Sequence, residues 1–107
     1  MDKIKKQEFL ARVKRNLTIT WDEEDTNNSL SDYIDSSYTY LNGLAGYKLS
    51  FEASSQEAEL LCERVRYSYN NALDDFEENF SKQLSAFILN SALQTSIQKE
   101  GEVDGQD

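Results

Sequence analysis

Histidine and proline are absent from this chain, and cysteine occurs once, as Cys62. Without histidine, a metal site of the His or Cys type is excluded, as is a histidine-based dyad or triad. A single cysteine forms no internal disulfide, so nothing here requires an oxidising compartment. No apolar run approaches the ~20 residues that cross a bilayer. The start, M-D-K-I-K-K-Q-E-F-L, has no continuous apolar stretch of the secretory type. A soluble, intracellular protein without a membrane segment is expected. The missing prolines and only four glycines in 107 residues favour helices with few sharp breaks.

Charge of one sign is also scarce over most of the chain. The net charge is −9. Residues 1–16 carry six basic groups (Lys3, Lys5, Lys6, Arg12, Lys14 and Arg15) against Asp2 and Glu8, which gives +4. The other five basic groups face eighteen acids, which gives −13. Duplex DNA is therefore a poor ligand for the whole chain, because such binding rests on neutralised phosphates. The basic first segment could touch phosphate locally, or be a solvated face.

What is present is a long amphipathic stretch from Ser54 to Phe87. Leu61, Val65, Tyr69, Leu73, Phe76, Phe80, Leu84 and Phe87 follow one another at steps of three and four, the period of one helix face. Glu63, Arg64, Arg66, Asp74, Asp75, Glu77 and Glu78 fill the other side. Such a face needs a partner surface. An unbroken helix over 55–90 would be ~54 Å long, more than a compact domain of this size needs. The stretch is expected either to bend near residues 71–81, where Asn70-Asn71 and Phe80-Ser81 are weak points, or to project towards something else.

Before it, residues 3–16 read as a first helix with Phe9, Leu10, Val13 and Leu17 facing the core, ended by the β-branched run after Leu17. Thr20 and Glu23 have the spacing of a capping box that starts a second helix. Trp21 beside it is expected to anchor helices against each other. Leu30, Tyr33, Ile34, Ser37, Tyr38 and Leu41 form the inner face, and Asn42-Gly43 is the expected stop. In the next segment Tyr47, Leu49 and Phe51 alternate with Lys48 and Ser50 as in a strand. Ser54 and Glu57 form a second expected capping box. The fold expected is all-α, a three- to four-helix bundle with a short extended or hairpin-like connection near residues 43–52. It forms one helical domain over 1–93, with a polar, disordered tail over 94–107.

The acids of 22–25 complement a helix start and lack the spacing and central glycine of a calcium loop. The pairs Asp74-Asp75 and Glu77-Glu78 lie on polar faces, whereas acid–base chemistry needs sheltered carboxyls in unlike environments. Cys62 lies beside the apolar stripe and reads as an inert buried thiol. No catalytic, metal or cofactor residues are assigned, and an enzyme is not expected. Arg64, Arg66 and Tyr67 have the composition of an interface hot spot. Alternatively, each arginine pairs locally, Arg66 with Glu63 or Asn70.

Residues 66–80, R-Y-S-Y-N-N-A-L-D-D-F-E-E-N-F, resemble a stretch in the small head–tail connector (adaptor) proteins of tailed bacteriophages and prophages of Gram-positive bacteria. The shared signature is R-Y, here Arg66-Tyr67, followed by N-A-L-x-x-F-E-x-N-F/Y. The L-x-I-x-W-D-E-x-D run from Leu17 and the helix ending Tyr40-Leu41-Asn42-Gly43 agree with it, and the resemblance spans about Val13 to Leu89. It implies a helical structural virion protein that forms a ring, typically of twelve subunits, on the portal protein. The ring extends the DNA channel without sequence-specific DNA binding and docks the stopper or tail-completion protein. The implied location is the head–tail interface of the virion, with the host cytoplasm during assembly. Arg64, Arg66, Tyr67, Asn71, Asp75 and Phe80 are the candidate interface residues, and no cofactor is implied. An acidic chain suits a channel through which DNA must slide. Another reading of the same charge is a small acidic regulatory or DNA-mimic protein that inhibits a basic partner. An enzyme working with carboxylates alone ranks last.

Overall fold

The first helix, α1, spans Lys3–Asn16 and begins where Asp2 caps it by accepting from the Lys5 amide at 2.8 Å. Its end is a Schellman turn: the Thr18 amide bonds the Arg15 carbonyl and the Ile19 amide bonds the Lys14 carbonyl. Thr18 takes the left-handed position, φ 55°, which usually belongs to glycine. The turn sends Ile19 into the core with Phe9 and Val13. This computed structural model describes the backbone of residues 1–104 and the side chains of residues 1–97.

Helix α2 spans Glu24–Ala45 and is the central element, packing against α1, α3 and α5. Its buried residues Leu30, Ile34, Ser37, Leu41 and Ala45 recur at steps of three and four along one face. The capping box expected at Thr20 is not formed. The cap residue is Glu23, without a side-chain bond. The residues before it are engaged elsewhere: Trp21 Nε1 donates to Thr26 Oγ1 at 3.2 Å and Asn27 Nδ2 to Asp22 Oδ1 at 2.7 Å. Trp21 itself is exposed, so it is not the anchor between helices that its size suggested. The stop also lies later than Asn42-Gly43. The helix runs on to Ala45, and Gly46, at φ 80°, supplies the left-handed cap. Asn42 does not terminate the helix; its side chain accepts from the Leu49 amide at 2.8 Å.

The connection from Gly46 to Ser55 has no strand or hairpin. Its alternation is nonetheless real: Leu49 and Phe51 are buried while Lys48 and Ser50 are exposed. Without a ladder, backbone groups need other partners. Besides Asn42, Glu57 accepts from the Phe51 amide, Lys5 Nζ donates to the Ser50 carbonyl, and Arg12 Nη1 donates to the Ala53 carbonyl. Glu57 therefore serves Phe51 and not a capping box with Ser54. The cap of α3 is Ser55, whose hydroxyl accepts from the Ala58 amide. Phe51 sits between Phe9, edge-on at 6.3 Å, and Tyr38, at 5.0 Å.

The long stretch breaks twice. Helix α3 spans Gln56–Tyr69, a single 3-10 turn follows at Leu73–Asp75, the one-turn helix α4 spans Phe76–Asn79, and α5 spans Ser81–Asp104. The first break repeats the device that ends α1. Asn71, at φ 57°, takes the left-handed position, and the Ala72 amide bonds the Tyr67 carbonyl. The result is an all-α bundle of four long helices and one single-turn helix, with no strand among the described residues. The expected polar tail starts within α5, and its part beyond Asp104 lies outside the described residues.

Candidate functional site

The break between α3 and α5 makes an elbow from residues 67–80. The left-handed turn at Asn71 resets the helix phase, so the apolar stripe does not continue through it. Tyr69 and Leu73 are exposed, 37% and 39%, and Tyr67 turns inward in their place. The Tyr67 ring meets Phe76 and Phe80 edge-on, with centres at 5.7 and 5.6 Å, and those two rings stack at 5.1 Å. Asn79 Nδ2 closes the elbow by donating to the Tyr67 hydroxyl at 3.0 Å. Phe76 is fully buried. Phe80 is half-buried and walls a groove of about 330 Å³ together with Arg12, Cys62 and Gln83.

The two candidate arginines lie on different sides of α3, as a two-residue spacing requires. Arg66 is exposed and pairs with Glu63, Nη2 to Oε2 at 2.6 Å, the local pairing that the sequence offered as one alternative. Its guanidinium also lies 5.0 Å from the Tyr67 ring centre. The hydrogen bond to Glu63 raises the Arg66 pKa above its usual value. Arg64 is half-buried against α2. Its Nη1 donates to the hydroxyls of Ser36 and Ser37, and its guanidinium covers the Tyr40 ring at 4.4 Å. Burial lowers its pKa, with Tyr40 and Glu77 opposing the shift. Tyr40 in turn donates to Glu77 Oε1 at 2.9 Å, which ties α2 to α4. These residues line a groove of about 320 Å³ with Leu73 and Asp74.

Of the six sequence candidates, Tyr67, Phe80 and Asn71 meet in the elbow, where Asn71 supplies the turn. Arg64 joins α3 to α2. Arg66 and Asp75 remain on the surface, and Asp75 makes no side-chain capping bond. Three participants were not among the candidate interface residues: Tyr40, Glu77 and Asn79. Each is an ordinary polar residue at a helical position, and only the elbow brings it to its partner.

Charge is also distributed differently from its linear order. Four of the six basic groups of α1 are spent within the chain: Lys5 and Arg12 on the connection, Lys6 on Asp35 at 2.7 Å and Lys14 on Asp22 at 3.5 Å. Asp22 keeps its carboxyl below the usual range through its bond from Asn27 and the charge of Lys14. Much of the charge of the first helix is thus held against the rest of the chain. Among the described residues, no three His, Cys, Asp or Glu side chains are grouped to hold a metal ion. No helix among them is long and apolar enough to cross a membrane.

No family model, no curated protein and no solved structure matches the chain.

Proposed function

We propose that the chain is a non-catalytic structural protein, a head–tail connector that assembles as a ring on a phage portal, extends the DNA channel and docks the stopper or tail-completion protein. The observation that carries this reading is the identity of the elbow residues. The positions through which the sequence resembles connectors, Tyr67, Asn71, Phe76, Asn79 and Phe80, are the positions that build the elbow. A signature made of folding residues marks a scaffold more naturally than a reaction site, because catalysis needs reactive groups converging on a cleft. Surface remains for subunit contacts, including Arg66, Asp75 and the exposed apolar residues of α5.

The reading is tested by mixing the purified chain with portal rings and measuring the mass of the complex. Addition of a full ring of subunits to the portal is the expected result. A chain that stays free of the portal at every ratio rejects the reading, whereas a monomer in isolation does not, since such rings can require their template.

A second reading draws on the charge. With most α1 cations engaged internally, the exposed acids dominate the outer field of a chain of net charge −9. An acidic protein that occupies the nucleic-acid site of a basic partner uses the same field. It predicts competition with DNA for that partner, weakening steeply with salt, and no portal binding.

A further inference from the structure

The connection between α2 and α3 is held by side chains and not by a backbone ladder. Among the described residues, 47–51 make no backbone–backbone hydrogen bond. Four side chains from three helices pin the segment instead. From α1, Lys5 Nζ donates to the Ser50 carbonyl at 2.6 Å and Arg12 Nη1 to the Ala53 carbonyl at 2.7 Å. From α2, Asn42 Oδ1 accepts from the Leu49 amide at 2.8 Å, and from α3, Glu57 Oε2 accepts from the Phe51 amide at 3.4 Å. The two cationic pins are exposed to solvent and the Glu57 bond is long, so each holds weakly.

Phe51 adds strain to this segment. Its φ is 53°, a left-handed conformation that a bulky L-residue rarely adopts. The cost shifts the local equilibrium towards release by a factor on the order of ten. What opposes release is the ring, which is 1% exposed between Phe9 and Tyr38. The helices do not need the segment to touch one another, since α1, α2 and α3 all pack directly together. A groove of about 230 Å³ already separates part of the segment from α1, with Phe9 and Arg12 on one side and Phe51 and Ala53 on the other. At the near end Gly46 has open space round its α-carbon, and at the far end residues 52–54 are exposed, so both ends are free to turn.

We infer that residues 47–54 form a strap that lifts from the bundle as one unit while the helices stay folded, uncovering the Phe9 and Tyr38 rings and freeing Lys5 and Arg12. The closed strap thus gates a face on which two cations flank two aromatic rings. This device is separate from the elbow and independent of the connector reading.

Native-state hydrogen exchange, followed by NMR in urea concentrations below the unfolding transition, tests the strap. The Leu49 and Phe51 amides report the strap, and the Ile34 and Leu61 amides report the helices. After correction for intrinsic rates, the two strap amides should exchange at least ~10-fold faster than the helix amides, and almost independently of urea, because lifting exposes little surface. The helix amides should accelerate steeply with urea. Lys5→Gln and Arg12→Gln should each speed both strap amides about threefold, the loss of one exposed hydrogen bond. Phe76→Leu, in the elbow, should speed the helix amides and leave the strap amides unchanged, because the elbow survives in the lifted form. The urea series makes the same separation in the unmodified chain. Strap amides that share the protection and urea dependence of Leu61, or that accelerate with the helices in Phe76→Leu, overturn the inference, because the strap then opens only with the whole fold. Unequal responses of Leu49 and Phe51 to the glutamine variants overturn it as well, since the segment then frays piece by piece. Unchanged strap rates in both glutamine variants overturn the release of Lys5 and Arg12.

Discussion

The guanidinium of Arg64 lies 4.4 Å from the centre of the Tyr40 ring. No acid lies within ion-pair distance of it among the described residues. Beside the apolar core, the polar link that Arg64 makes from α3 to α2 is thus a cation over a ring and two serine hydroxyls in place of a salt bridge. Arg64→Ala removes all three and also the packing of the aliphatic stem. A loss of ~1–2 kcal/mol is expected in urea unfolding at neutral pH. Arg64→Lys should recover only part of it, because an ammonium does not reproduce the planar contact. If Arg64 serves a surface interface and not the fold, the alanine variant will unfold like the wild type.

The other end of Tyr40 gives a pH dependence. Burial, then the hydrogen bond to Glu77 and its negative charge, raise the Tyr40 pKa above its usual value near 10, with Arg64 opposing. The unfolded chain therefore releases the phenolic proton first. The stability associated with this group is complete below pH ~10 and is lost as the pH rises through the higher folded pKa. Urea midpoints measured from pH 8 to 11 should fall more steeply for the wild type than for Tyr40→Phe. At pH 7 the phenylalanine variant loses the Glu77 bond, which costs under about 1 kcal/mol because that bond is solvent-exposed.

The elbow shows what the sequence reveals about such a chain and where it stops. Helix α1 was readable to the residue, because its apolar positions and flanking polar residues have one simple period. The long stretch was readable as amphipathic and as due to bend. Its phase beyond Asn71 was not, since one residue in the left-handed region rotates everything after it. Periodicity thus assigned Tyr69 and Leu73 to the core, and the turn gave that place to Tyr67. The capping boxes failed for another reason. Helix α2 starts only at Glu24, with Glu23 itself at the cap, so Thr20 lies outside the first turn; Ser55 takes the cap of α3 from Ser54, and Glu57 accepts from the Phe51 amide. The pairing of Arg66 with Glu63 was visible because it is local. That of Arg64 with Ser36, Ser37 and Tyr40 was not, because it crosses between helices.

Two left-handed residues, Thr18 and Asn71, give opposite expectations on substitution. Thr18 is β-branched, and a left-handed conformation costs such a residue at least ~1–2 kcal/mol. Glycine relieves that cost and gives back part of it as unfolded-state entropy, so Thr18→Gly should stabilise by roughly 0.5–1 kcal/mol. Asparagine tolerates the conformation well, so Asn71→Gly should be near neutral and Asn71→Ala should destabilise by about 1 kcal/mol. Thermal unfolding of the three variants checks the ordering. Equal destabilisation by Thr18→Gly and Asn71→Ala would show that local side-chain contacts outweigh backbone conformation at these turns.

The groove beneath Phe80 exposes very little of Cys62, which is 7% accessible. Burial pushes its thiol pKa up; the positive charge of Arg12 opposes this, and Glu63 and Glu59 add to it. Both the scarcity of thiolate and the limited access slow attack on a disulfide reagent. At pH 8 the folded chain should label at least ~100-fold more slowly than the unfolded chain, at a rate set by local opening of α3 against α1. Arg12→Gln separates the two causes. It removes the charge that favours the thiolate, which slows labelling, and it removes the bond to the Ala53 carbonyl, which loosens α1 and speeds it. Slower labelling of that variant would make thiolate formation limiting, and faster labelling would make opening limiting. A native rate within tenfold of the unfolded one would show that the groove is open to the reagent and that Cys62 is not protected by the core.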